Sequence, residues 1–75
     1  MIQKEKVLLD EIKNQKEREI LLLLKRKEKV IYGNIIKELK LPYSKGQELV
    51  FSLISKGYIR YVDKSSFIEL SIELI

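Results

Sequence analysis

The chain has 75 residues and a formal net charge of +4, with 35% charged residues, no cysteine and no histidine. That length supports one small core, burying about 60% of the surface its unfolded chain exposes, so one domain spanning 1–75 is expected and a partner would help its stability. The missing residue types exclude a disulfide framework and thiolate metal sites, and they remove the commonest metal ligand and general base.

Other function classes fall away on pattern. No apolar run approaches the roughly 18 residues that span a bilayer, and nothing at the start resembles a signal peptide, so a cytoplasmic location is expected. The serines have no histidine to activate them, and Gly33, Gly46 and Gly57 build no phosphate loop, so the chain reads as a non-enzyme without cofactor.

Residues 2–13 place Leu8, Leu9 and Ile12 on one side with Val7 beside them, the pattern of an amphipathic helix. Asn14 followed by Glu17 offers a cap for a second helix, but neither Gly nor Pro interrupts residues 2–32, so one continuous helix is equally compatible. The helix at about 16–28 has Ile20, Leu23 and Leu24 as its core face, and Leu21 and Leu22 widen the apolar arc. A covering surface is therefore required. The N-terminal helix supplies it, from the same chain or from a second subunit, so a homodimer through Leu8, Leu9, Ile12, Leu21 and Leu22 is expected. The run Lys25-Arg26-Lys27-Glu28-Lys29 reads first as a solvated helix end whose cations complement the dipole, and second as a phosphate site.

Val30 and Ile31 are β-branched and read as a short strand that pairs with a later hairpin; Gly33 and Asn34 begin the next helix. Ile35, Ile36 and Leu39 give that helix its inner face, a Leu41-Pro42 break follows, and Val50 and Leu53 line the next helix until Gly57 stops it in a left-handed conformation. Tyr58 to Val62 and Phe67 to Leu74 are two strands joined by the turn-rich Asp63-Lys64-Ser65-Ser66. In the last strand Ile68, Leu70, Ile72 and Leu74 share one face.

The spacing of Ile35, Ile36, Leu39, Leu41, Val50, Leu53 and Ile59, closed by Val50-Phe51-Ser52-Leu53-Ile54-Ser55-Lys56-Gly57, resembles the winged helix-turn-helix DNA-binding domains, including small archaeal-type transcriptional regulators. The resemblance implies a mainly helical α+β fold: a three-helix core over 16–75, a C-terminal β-hairpin wing, and here an extra N-terminal helix at 1–14. It also implies a sequence-specific transcriptional regulator that inserts residues 44–56 into the major groove of double-stranded DNA. The alternative is a winged-helix protein-interaction module in a transcription, replication or cell-division assembly.

Candidate contacts follow from that frame. Lys45 suits guanine O6 or N7 and Gln47 suits adenine, although Ser44 and Gln47 also form an S-x-x-Q capping box. Phe51 suits a thymine methyl or the sugar backbone, or equally a protein surface. Tyr32 and Asn34 at the start of one helix, Arg60 and Lys64 in the wing, and Tyr43 before the recognition helix are the supporting contacts, whereas Tyr61 is expected to pack. Four positions depart from the resemblance. Gly46 replaces a small or β-branched apolar residue, Glu48 stands at a DNA-facing position where a basic or polar residue is common, Lys40 occupies a turn position where glycine is common, and Phe51 is an unusual aromatic for the outer face.

Overall fold

The computed structural model describes residues 4–75. It is a small α+β domain of three helices and two sheets, about half helical, with a single cluster of buried side chains at its centre. In chain order, β1 (Lys6–Val7) leads through a 3₁₀ turn (Leu9–Glu11) to α1 (Gln15–Lys27), and β2 (Lys29–Ile31), α2 (Tyr32–Leu39) and α3 (Tyr43–Ser55) follow. β3 (Ile59–Tyr61), β4 (Phe67–Leu70) and β5 (Glu73–Leu74) complete the chain.

Helix α1 forms where Asn14, in extended conformation, accepts the backbone N–H of Glu17 through its side chain at 3.1 Å. That cap satisfies one of the helix's orphan donors and divides the N-terminal region into separate elements. The helix then buries Ile20, Leu21, Leu23 and Leu24, which form the floor on which α2, α3, β2 and β4 rest. Its basic last turn is structural: Arg26 and Lys27 pair with Glu38 of α2 at 3.8 and 3.1 Å.

Among the described residues the expected N-terminal helix is not formed. Residues 4–14 instead make β1 and the 3₁₀ turn, while residues 1–3 lie outside the described residues. β1 runs parallel to β5, with Val7 opposite Leu74, and the strap is closed by Glu73 N–H to Glu5 O at 2.8 Å, Ile75 N–H to Val7 O at 2.9 Å and Leu9 N–H to Ile75 O at 3.0 Å. The reason is non-local. Val7 and Ile12 bury their side chains either way, but only an extended segment also pairs the backbone groups along β5. The covering surface for α1 thus comes from the same chain: Ile12 and Leu21 are buried and Leu9 is partly buried, leaving only Leu8 and Leu22 of the expected interface exposed.

β2, β4 and β3 form an antiparallel sheet in that order, with Val30 opposite Ile68 and Ile59 opposite Leu70. The pairing of β2 with the hairpin follows the sequence expectation. The last strand does not run unbroken: at Ser71, whose N–H bonds Tyr58 O at 2.8 Å, the chain leaves this sheet, and β5 joins β1. Burial still alternates through Ile68, Ile72 and Leu74, because the same core lies beneath both sheets.

The turn between α2 and α3 rests on Lys40, which adopts the left-handed conformation at φ 54° that glycine takes without strain. Lys40 and Leu41 N–H groups close the end of α2 on Lys37 O and Ile36 O. Ile35, Val50, Leu53 and Ile59 are buried as their spacing implied, while Ile36, Leu39 and Leu41 are only partly covered. Gly57, at φ 80°, ends α3 as expected.

Candidate functional site

The outer face of α3 is set by what its inner face must do. Gly46, Leu49, Val50 and Leu53 are buried, and Gly46 lies so close to α2 that a Cβ there would sit 2.5 Å from Ile36 Cγ2 and 2.7 Å from the Tyr32 hydroxyl. Glycine at 46 is therefore what lets the two helices approach. With that side fixed, Ser44, Glu48, Phe51 and Ser55, spaced four, three and four residues apart, form one stripe directed away from the core.

α3 begins one residue earlier than expected, and the S-x-x-Q capping box is not made. Pro42 is the residue before the helix, in extended conformation, and no side chain caps it. The first turn closes by Gly46 N–H to Pro42 O at 2.9 Å. Pro42 keeps Leu41 out of the helical region and is itself extended, so α3 starts at Tyr43, which puts Ser44 inside the first turn and leaves Gln47 outside any cap.

An aromatic cluster flanks this stripe. The Tyr32 hydroxyl donates to Tyr43 O at 2.6 Å, and the two rings meet edge to face with centroids 5.3 Å apart. Burial, reinforced by the neighbouring Tyr43 and Tyr61 phenols, holds the Tyr32 pKa above its ordinary value. Tyr32, Tyr43, Ser44, Gln47, Glu48, Val50, Phe51 and Tyr61 line one open groove between α3 and the hairpin. Six of the ten sequence-derived site residues are thus brought together; Asn34, Lys45, Arg60 and Lys64 are exposed but lie outside that groove.

Tyr61 is the correction here. It was expected to pack, yet it is 51% exposed and forms a wall of the groove. It points to the core-side face of the sheet, opposite Ile68, but projects past the edge of the core. Strand alternation puts Tyr61 on the face of the buried Ile59, two residues earlier, so the sequence pattern points to packing and carries no signal of its exposure.

The charges around α3 are partly spoken for. Lys45 approaches Glu48 at 4.0 Å, Arg60 bonds Glu69 at 2.9 Å across β3 and β4, and Lys56 reaches the buried carboxylate of Glu17 at 3.0 Å. Lys29, Lys37, Lys40 and Lys64 make no ion pair among the described residues. Lys64, at φ 56°, stands at the hairpin tip, where the Ser65 hydroxyl donates to Val62 O and accepts from Phe67 N–H. No group of acidic side chains able to hold a metal ion occurs among the described residues, and none of their helices is long and apolar enough to cross a membrane.

No known protein family, curated protein or solved structure matches this chain. Any assignment of function rests on the arrangement of α2, α3 and the hairpin alone.

Proposed function

We propose that this chain is a winged helix-turn-helix protein that binds double-stranded DNA, with α3 in the major groove, and acts as a regulator of transcription. The observation that carries the reading is the presentation of α3: its inner side is locked against α1 and α2, and Ser44, Lys45, Gln47, Glu48 and Phe51 stand uncovered on the other. The β3–β4 hairpin beside it, with Lys64 at its tip, corresponds to a wing. Residues 29–66 carry seven Lys or Arg against three acids, an excess that favours a phosphate backbone. Gln47, outside any cap, keeps both the oxygen and the NH2 of its side-chain amide for a base edge.

Fluorescence anisotropy with a random 20-base-pair duplex at two salt concentrations tests this. Binding at low salt with a steep salt dependence is expected. Glu48→Lys removes a repelled acid from the groove-facing stripe, so it should tighten binding and steepen the log–log salt slope by about one unit, whereas Glu73→Lys on β5 makes the same charge change with a smaller effect. Equal effects at both positions would place α3 outside the interface.

One observation favours the second reading, docking to another protein. Phe51 at 72% exposure and Tyr43 at 61% flank an exposed acid, an arrangement suited to a protein partner. Absence of any duplex binding at low salt selects it. We also propose self-association through a smaller surface than the sequence implied. Arg18 bonds Ile12 O and Lys25 bonds Leu74 O, so the flank of α1 carrying Leu22 lies along the β1–β5 strap. Leu8, Leu22 and Ile75, 49%, 44% and 55% exposed, are the apolar side chains available there.

A further inference from the structure

The major-groove edges of base pairs present hydrogen-bond donors and acceptors at nearly every position. Their one apolar group is the C5 methyl of thymine, shared by 5-methylcytosine. A phenyl ring laid against the polar edges strips water from them and returns no hydrogen bond, which is unfavourable; laid against a methyl, it buries apolar surface on both sides. Phe51 is 72% exposed and lies mid-way along the outward stripe of α3, between Glu48 and Ser55. It is the large apolar side chain of that stripe, and no packing requirement of the chain accounts for it. Gln47 lies one helical turn earlier, and the rise of about 6 Å between them spans roughly two base-pair steps.

We infer that Phe51 is a specificity-determining residue that reads the C5 methyl of a pyrimidine, giving the protein a preference for thymine about two steps from the base pair that Gln47 contacts. The inference rests on the DNA-binding reading above and deepens it, choosing the pyrimidine methyl among the contacts open to Phe51 and giving the protein a base preference. Lys29, Lys37, Lys40 and Lys64, which make no ion pair among the described residues, would meet phosphates without regard to sequence. On this reading discrimination rests on α3, where Gln47 and Phe51 are the uncharged side chains long enough to reach a base edge.

The test uses the full chain with four alternating copolymer duplexes: d(A-T) against d(A-U), which lacks the methyl, and d(G-C) against d(G-5-methyl-C), which gains it. Anisotropy titrations at low salt are run with the wild type, Phe51→Ala and Phe51→Leu, and circular dichroism melts confirm that the exposed substitutions leave the fold intact. The wild type should bind the methylated member of each pair about fourfold more tightly, the worth of one buried methyl. Phe51→Ala should bind both members alike with an unchanged salt slope, and Phe51→Leu should keep part of the preference. Tight but methyl-blind binding by the wild type overturns this inference and leaves the DNA reading standing, as does a methyl preference that survives in Phe51→Ala. Failure to bind any of the four overturns both and points to a protein partner.

Discussion

Replacing Gly46 by alanine probes the contact that orients α3. An added Cβ would meet Ile36 Cγ2 at 2.5 Å and the Tyr32 hydroxyl at 2.7 Å, well inside the roughly 3.5–4.0 Å at which such atoms rest. Neither neighbour yields easily. Ile36 is β-branched and stiff on a helix, and the Tyr32 hydroxyl is held by its 2.6 Å bond to Tyr43 O. Overpacking of this kind costs about 1–3 kcal/mol, and loss of the tyrosine hydrogen bond adds about 1 kcal/mol. Alanine's better helix propensity returns about 1 kcal/mol, so a net destabilisation of about 2 kcal/mol is expected. For a domain of this size that lowers the melting temperature by about 8–16 °C.

Thermal and urea melts followed by circular dichroism measure the effect, with the other glycines as internal comparisons. A Cβ at Gly33, which lies inside α2, would meet no atom within 4 Å, so Gly33→Ala should stabilise by about 0.4–1 kcal/mol. Gly57 has equal space but sits at φ 80°, so Gly57→Ala should cost about 1–2 kcal/mol through backbone strain alone. A Gly46→Ala protein that melts at or above the wild type would refute the close approach of α2 and α3.

Three further outcomes are expected. Lys40→Gly relieves a left-handed residue on an exposed turn and should stabilise by about 1 kcal/mol in the same melts; a loss would mean that the Lys40 side chain has a contact of its own. In a spectrophotometric titration, Tyr32→Phe should remove an ionisation that lies above the ordinary tyrosine range. Because the folded Tyr32 pKa lies above its unfolded value of about 10, the stability it contributes is fully present below that pH and is lost as pH rises through the higher folded value. Light scattering should show self-association at high protein concentration that Leu22→Asp abolishes; a wild type that stays monomeric would assign Leu8, Leu22 and Ile75 to ordinary exposed surface.

The candidate site was legible where its determinants lie close together in the chain. Tyr43, Ser44, Gln47, Glu48 and Phe51 belong to one helix, and the buried positions Val50 and Leu53 fix which way that helix faces. Tyr61 escaped notice because its exposure depends on how far β3 extends beyond the core, a distance that no local pattern encodes. The ion pairs that occupy Arg60 and Lys56 are of the same kind, since Glu69 lies across a sheet and Glu17 on another helix.

The sequence by itself determined α1, α2, α3, the hairpin and their order, because 3.6-residue and two-residue apolar periods, an Asn14 cap, a Pro42 start and a Gly57 stop each act within one or two turns of chain. Only the tertiary structure decided the fate of the N-terminal segment. Val7, Leu8, Leu9 and Ile12 satisfy a helical spacing, but the strand edge of β5, more than sixty residues away, offers backbone hydrogen bonds that a helix there would leave unmade. The same long-range pairing divided the last strand at Ser71, and it covered α1 from within the chain where a second subunit had been the alternative.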